Sequence, residues 1–162
     1  MCGMFATAGT QIRAFLTNSI LLACISSWFC AQFIKTVIGI LYGKIHSVPE
    51  LVENLLWKTG GLPSSHTALV AALCTTIAFD HGISSDIFIL SLMFLMVTVR
   101  DSVGVRRSSG VQARQINKLG RSLEEKGIIE YKPIKEVMGH TPMEVVVGGL
   151  LGMFIGLAYS LF

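Results

Sequence analysis

Two histidines, each placed just before an apolar stretch, carry the chemistry that this sequence suggests. His66 follows the run Gly60-Gly61-Leu62-Pro63-Ser64-Ser65, and the apolar stretch 68–79 comes directly after it. His140 follows Gly139 and precedes an apolar stretch that begins at Pro142. Glycine and proline favour a tight turn, and the free amides and dipole at a helix start attract an anion. Because a histidine there can donate a proton to a phosphate-like group, the pattern predicts one anion site served by two helix starts.

Hydroxyl residues predict how these two helices begin. Ser64 or Ser65 is expected to cap a helix that opens at His66. The run Thr141-Pro142-Met143-Glu144 has the form of a capping box with proline at the first helical position. Glu144 therefore has two interpretations, as a cap residue and as a partner of His140, and the sequence leaves both open. A helix start disfavours a cationic imidazole, so His140 is expected to be largely neutral and nucleophilic.

Composition places these motifs in a membrane. The chain has 162 residues, of which 52% are hydrophobic and 14% charged, and its mean hydropathy is +0.64. These values are typical of a small integral membrane protein. The net charge of +3 is too modest to indicate a nucleic-acid partner. Four cysteines show no paired metal spacing and are interpreted as small buried hydrophobes, with a disulfide or metal role as the less favoured alternative. No cofactor is expected.

Hydrophobic patterning predicts an all-α polytopic bundle in a single membrane-embedded domain, 1–162, with a short tail at 1–11. About four transmembrane helices are expected, together with one or two interfacial helices. The apolar stretches are Ile20–Leu41, Ala68–Phe79, Ile87–Val99 and Pro142–Leu161, and the amphipathic ones are Val48–Trp57 and Val111–Lys126. Residues 127–137, which follow Val111–Lys126 and precede the last apolar stretch, are expected to be irregular or hairpin-like. The two middle stretches are short for a hydrocarbon core of roughly 30 Å, which brings His66 close to the lipid headgroups.

The first apolar stretch has a competing interpretation as a secretory or lipoprotein signal. Leu21-Leu22-Ala23-Cys24 resembles a lipobox, but the apolar character continues well past Cys24 and Arg13 is the one basic residue before it. A spanning helix is therefore favoured.

Basic residues predict the orientation. Segments 43–65 and 100–140 hold eleven of the thirteen Lys and Arg residues, whereas 80–86 holds none. The positive-inside rule then places both basic segments in the cytoplasm and both termini outside. This count puts His66, His140, Arg106 and the Lys35 end of the first stretch on one membrane face. We expect an integral protein of a bacterial inner membrane or its organellar equivalent, with the site facing the cytoplasm.

A stripe of small residues runs along the last apolar stretch. Gly148, Gly152, Gly156 and Ser160 recur at a spacing of four. Such a stripe allows close backbone contact with a neighbouring helix. Packing within the chain is the favoured interpretation, and a homodimer through Gly148, Gly152 and Gly156 is the alternative.

These motifs resemble a known superfamily. Pro63-Ser64-Ser65-His66 resembles the Pro-Ser-Gly-His element of the type 2 phosphatidic acid phosphatase and vanadium haloperoxidase superfamily, and His140 with Glu144 resembles its His-x-x-x-Asp helix start. Together with the run 101–107, they are similar to its small, divergent bacterial and plant branch.

The resemblance implies a membrane phosphatase that hydrolyses a phosphomonoester or pyrophosphate on a lipid. His140 would take the phosphoryl group as a phosphohistidine, Glu144 would orient it, and His66 would protonate the leaving group. The residues that would hold the phosphate are Lys35, Ser64, Ser65, Arg106 and Arg107. Asp101, Gln112 and Asn117 would line or support the site, and cationic side chains would replace a metal.

Departures from the family pattern motivate a second hypothesis. Glu144 stands in place of aspartate, Ser65 stands in place of glycine, and Arg106 lies far before His140. The same pocket then suits a catalytically silent binder or transporter of phosphorylated lipid, and a structural subunit is a third reading.

Simpler roles are open for several of these residues. Lys35 could instead snorkel to the membrane interface. The arginines could simply be attracted to anionic lipid. Asp101 could simply pair with Arg106 or Arg107. His46 and His81 are interpreted as ordinary loop residues.

Overall fold

The computed structural model of the protein describes residues 2–43, 47–56, 61–136 and 139–162. In those ranges the chain is all-α and no strand forms. The helices are α1 (Cys2–Leu16), α2 (Ser19–Leu41), α3 (Val48–Leu56), α4 (Ser65–His81), α5 (Asp86–Arg100), α6 (Arg106–Glu125) and α7 (Pro142–Leu161), with a turn of π-helix at Asp101–Val105 between α5 and α6.

Short polar side chains set the starts of the long helices. Asn18 Oδ1 accepts a hydrogen bond of 3.1 Å from the Leu21 amide at the start of α2. Ser85 Oγ does the same for the Phe88 amide at the start of α5, at 3.3 Å. Before it, α4 ends at Gly82, whose φ of +81° favours glycine. Residues 82–85 thus form the turn that joins α4 to α5.

Helix α4 lies at the centre of the bundle and packs against α2, α5 and α7. Its closest neighbour is the glycine stripe of α7. A Cβ atom on Gly152 would collide with the Ala68 carbonyl oxygen, and one on Gly156 would lie 2.8 Å from Thr75 Cβ. The stripe is therefore used for packing within the chain. A homodimer seam on these same glycines would require α4 to be displaced.

The bundle buries polar residues and exposes apolar ones. Among the described residues, Ser27, Thr67 and Thr76 are buried, while large side chains such as Phe33, Leu90 and Phe154 point outward. This distribution suits a hydrocarbon solvent rather than water. In the part of the chain that the structure describes, three helical stretches are long and apolar enough to span a membrane: Ser19–Leu41, Asp86–Glu125 and Pro142–Leu161.

Three of the about four expected spanning stretches reach this length within the described ranges. Helix α4, with 17 residues, is the exception. It measures roughly 25 Å at 1.5 Å per residue. Because its neighbours enclose it, α4 does not need the length of a lipid-facing span.

The largest difference from the sequence prediction lies between residues 86 and 125. The amphipathic helix expected at 111–126 begins at Arg106 instead, and the π-helical turn joins it to α5 without a break. No proline lies between residues 64 and 132, so the change from apolar to polar residues near Arg100 does not end the helix. The expected tail at 1–11 lies within α1 from Cys2 onward.

After α6, residues 126–136 form an irregular segment, here called the strap, that runs back along α6. Asn117 Nδ2 donates to the Ile134 carbonyl at 2.9 Å, and Asn117 Oδ1 accepts from the Tyr131 hydroxyl at 2.6 Å. The Tyr131 ring packs directly on Gly120. The strap thereby leads the chain from the far end of α6 back to the start of α7.

Several sequence predictions concern residues outside the described ranges. They involve Lys44, His46, Trp57, Lys58, Gly60 and Val137. Three other expectations can be compared with the described residues. Helix α3 occupies the expected amphipathic segment, and α7 has the expected bounds. Cys24 and Cys74 are buried free thiols as expected, whereas the expected burial is wrong for Cys30, which lies on the outward face of α2 and is exposed.

Candidate active site

The turn before α4 and the start of α7 are in direct backbone contact. The Ser64 amide donates a 2.9 Å hydrogen bond to the Glu144 carbonyl oxygen. One turn further along α7, Gly148 lies so close to the Ser64 carbonyl that a Cβ atom would collide with it. The two histidine motifs, far apart along the chain, therefore meet at one end of the bundle.

His140 is buried and held by Glu144. Only 3% of His140 is exposed, and its Nδ1 lies 3.0 Å from Glu144 Oε2. That contact fixes the orientation of the ring and leaves Nε2 as the atom available for chemistry.

Glu144 also caps α7. Its Oε2 accepts a 3.1 Å hydrogen bond from the Thr141 amide, and its own amide donates to Thr141 Oγ1 at 3.4 Å. The capping box is therefore confirmed, and the same carboxylate oxygen contacts His140. The two roles that the sequence left open are compatible, because a carboxylate oxygen can accept more than one hydrogen bond.

The start of α4 is built differently. The helix begins at Ser65, one residue earlier than expected, and Ser64 occupies the N-cap position. The prediction of a serine side-chain cap is wrong for Ser64, because its hydroxyl lies 3.0 Å from Thr67 Oγ1 and makes no capping bond. Ser64 and Ser65 are both buried. The first-turn amides of α4 are thus not occupied by the N-cap side chain.

Lys35 reaches this turn from α2. It is 6% exposed, and its side chain passes beneath Gly61, where a Cβ atom would lie 3.6 Å from Lys35 Cγ. Gly61 has a φ of +92°, which favours glycine. A buried lysine inside a membrane helix is expensive and marks a functional site more often than a structural one.

Arg106, the first residue of α6 directly after the π-helical turn, adds a positive charge near His66, alongside that of Lys35. Arg106 Nε donates a 2.7 Å hydrogen bond to Asp101 Oδ2, and both side chains are substantially exposed. The pairing expected for Asp101 is therefore present, with Arg106 as the partner. Gly139 packs on the backbone of Arg106 and Arg107 so closely that a Cβ atom would collide with it, which places His140 beside the start of α6. Single π-turns inside helices often occur at functional sites.

His66 is exposed, and its electrostatic surroundings are cationic. Partial burial lowers the pKa of His66 below its usual 6.5. Electrostatic interactions with Arg106, His140 and Lys35, in decreasing order, lower this pKa further. Asp101 acts in the opposite direction. His66, His140, Lys35 and Arg106 therefore belong to one electrostatic cluster, whose positive field an oxyanion would neutralise.

Other predicted residues take different positions. Gln112 is exposed and lines a surface cleft together with the side chain of Arg107. Asn117 is buried, but its amide is committed to the strap through Ile134, Glu136 and Tyr131. The supporting role expected for Asn117 at the site is therefore replaced by a role in holding the strap.

Sequence reasoning missed one polar residue near this cluster. Gln32 is buried on α2, one helical turn before Lys35, and the sequence showed it merely as an interruption of an apolar stretch. The usable signal was the spacing, because Gln32 and Lys35 stand three residues apart on a helix that spans a membrane.

Fold and site together define a class: a small helical integral membrane protein with two histidine-bearing helix starts that meet among cationic side chains. The chain belongs to the Divergent PAP2 family, whose model matches residues 16–155. The resemblance drawn from the two histidine motifs is thereby confirmed.

One relative matches this chain over nearly the full length of both proteins. The chain is 38% identical over 158 residues to the uncharacterized membrane protein YuiD of Bacillus subtilis (strain 168), covering 91% of this chain and 97% of that protein. No solved structure matches the chain significantly.

Proposed function

We propose that this protein is a lipid-phosphate phosphatase that works through a phosphohistidine at His140. The observation that carries the proposal is the backbone bond between Ser64 and Glu144, which joins the two histidine motifs. It is supported by the cationic surroundings of His66 and by membership of the Divergent PAP2 family.

The chemistry follows from the geometry of His140. With Nδ1 held by Glu144, Nε2 attacks phosphorus, the P–N bond forms, and the P–O bond to the lipid breaks. His66, in its protonated form, gives its proton to the departing alkoxide. In the second step neutral His66 takes a proton from water, the water oxygen bonds to phosphorus, and the P–N bond breaks. Free phosphate leaves and both imidazoles return to their starting states.

Binding of the phosphate would use the groups that converge on the open start of α4. Lys35 and Arg106 supply positive charge, and the first-turn amides with Ser64 and Ser65 supply hydrogen-bond donors. Such preorganised donors stabilise charge that grows on the phosphoryl oxygens in the transition state.

The proposed site faces the cytoplasm. The basic segment 100–136 begins beside the site, and the turn Gly82–Ser85 at the other end of the bundle carries no Lys or Arg. A lipid phosphate of the inner leaflet would then reach the pocket at headgroup level.

The test is phosphate release by the purified protein from phosphatidic acid, phosphatidylglycerol phosphate and polyprenyl pyrophosphate. His140→Ala is expected to lower the rate by at least about 10³-fold, because a nucleophile has no substitute. His81→Ala is the matched control, since His81 lies at the opposite end of α4, and it should leave the rate unchanged. No release from any substrate, or equal rates for wild type and His140→Ala, would contradict the proposal.

One observation favours a second function, binding of a phosphorylated lipid without turnover. Arg106 is paired with Asp101, which partly neutralises the charge that a phosphoryl group would need. Trapping with radiolabelled substrate separates the two functions. Label on His140 supports the phosphatase, whereas saturable lipid-phosphate binding that never labels His140 supports the binder.

A further inference from the structure

Gln32 lies on the buried face of α2 next to the phosphate-binding cluster. It is 3% exposed and shares that face with Lys35 and Thr36. Side chains three residues apart on a helix are neighbours, with about 5–6 Å between their Cβ atoms. Because Lys35 passes beneath Gly61, Gln32 lies at the membrane-interior side of the same turn.

The amide oxygen of Gln32 is an unused acceptor. Oε1 is shielded from solvent and has no hydrogen-bond partner within the part of the chain that the structure describes. A buried acceptor without a partner destabilises a protein, and a polar group within a membrane span adds to that cost. A hydrogen-bond donor on a ligand bound beside Lys35 would give this acceptor a partner.

We propose that Gln32 binds the substrate directly, with Oε1 accepting a hydrogen bond from a hydroxyl hydrogen of the bound phosphomonoester. The inference rests on the anion site of the proposed function but does not require turnover. A phosphomonoester with a second pKa of about 6 keeps a P–OH hydrogen in part of its population near neutral pH. A phosphodiester has no such hydrogen, so Gln32 makes the site selective for monoesters over diesters.

The chain offers a matched control on the same helix. Ser27 Oγ is also buried and without a hydrogen-bond partner among the described residues. Ser27 lies eight residues before Lys35, about 12 Å along the helix. Ser27→Ala therefore removes a similar unused polar group at a position out of reach of the phosphate.

The experiment measures ligand affinity and thermal unfolding of the purified full chain in detergent. The probes are dioctanoyl phosphatidic acid, a monoester, and dioctanoyl phosphatidylmethanol, a diester that bears no P–OH hydrogen. Gln32→Leu is expected to bind the monoester at least about 10-fold more weakly, while its affinity for the diester stays within about 2-fold. Without ligand, this variant should unfold about 2–4 °C higher, because the unsatisfied acceptor is gone.

Ser27→Ala should keep the wild-type affinity for both lipids. If Gln32→Leu does not fold, Gln32→Met provides an unbranched side chain of similar length without the amide. Wild-type monoester affinity in either variant overturns the inference. So does equal weakening for both lipids, or a wild type that binds neither.

These outcomes are separate from the fate of the phosphatase proposal. Gln32-dependent monoester binding without any label on His140 removes the phosphatase and keeps the inference. Label on His140 together with unchanged monoester affinity in Gln32→Leu supports the phosphatase and removes the inference about Gln32.

Discussion

The starts of α4 and α7 meet at the site but treat their first-turn amides differently. At α7, Thr141 and Glu144 form a complete capping box. At α4, the Ser64 hydroxyl turns toward Thr67 and no side chain at the N-cap occupies the amides. A capped start is stable and closed, whereas an uncapped start keeps donors available for an anion. The difference separates a helix start that holds a nucleophile from one that receives a phosphate.

The two histidines also differ in how firmly each side chain is held. His140 is buried and bonded to Glu144, while His66 is exposed and makes no side-chain hydrogen bond to the described part of the chain. A nucleophile gains from a fixed orientation. A group that exchanges protons with a leaving group and then with water gains from access to both.

The largest effect is expected from separating the two roles of Glu144. Glu144→Gln keeps an oxygen for the Thr141 amide but loses the charge that orients His140, so the rate of phosphate release should fall by roughly 10²–10⁴-fold. Thr141→Ala removes the hydroxyl cap and should cost about 1 kcal/mol of unfolding free energy with little loss of rate. Steady-state kinetics and denaturant unfolding of both variants measure the contrast.

If Glu144→Gln kept the wild-type rate, the carboxylate would be a helix cap alone. The difference between the two helix starts would then concern stability rather than chemistry.

An intermediate effect is expected from pushing the two starts apart. Gly148→Ala places a methyl group against the Ser64 carbonyl, and overpacking of this kind costs about 1–3 kcal/mol. The displaced turn would weaken the bond between Ser64 and Glu144, so phosphate affinity should fall as well. Gly149→Ala is the control, because its nearest neighbour is Thr67 Cγ2 at an ordinary 3.8 Å.

Unfolding and lipid-phosphate binding of the two glycine variants check this expectation. Gly149→Ala should be neutral or stabilising by up to about 1 kcal/mol, since alanine favours helix over glycine. Equal behaviour of the two variants would show that the contact between the starts is not tight.

The smallest effect is expected from Asp101→Asn. Asp101 raises the pKa of His66 against the burial and cations that lower it, so its removal should move this pKa further below 6.5. If protonated His66 is the general acid, kcat/KM falls as pH rises through this pKa, and the fall should occur at lower pH in the variant. The exposed ion pair should contribute less than about 1 kcal/mol to stability.

NMR titration of His66, assigned with His66→Gln, measures the pKa directly. An upward movement in Asp101→Asn would contradict the electrostatic cluster described above.

Much of the fold follows from hydropathy, because apolar length determines α2, α5 and α7 almost to the residue. Hydropathy does not predict that α5 and α6 form one continuous helical stretch. The change in polarity near Arg100 marks the edge of the apolar segment, whereas a helix ends where its backbone hydrogen bonds end. Likewise, 17 residues of α4 are enough because neighbouring helices rather than lipid surround it.

The candidate site was predictable where motifs stand at helix starts, as for His66, His140 and Glu144. Asn117 was assigned to the site through the family resemblance, but its amide is used by the strap. Gln32 was missed because a single amide in an apolar stretch has no motif, and its unused acceptor becomes visible only when its neighbours are placed.

A structure of the protein with orthovanadate tests the central claim most directly. We expect one bound oxyanion within about 3.5 Å of both His140 Nε2 and a donor of His66, with Lys35 beside it. A vanadate held by the surface cleft of Arg114, Lys118 and Arg121 alone, with the two histidine starts empty, would contradict it.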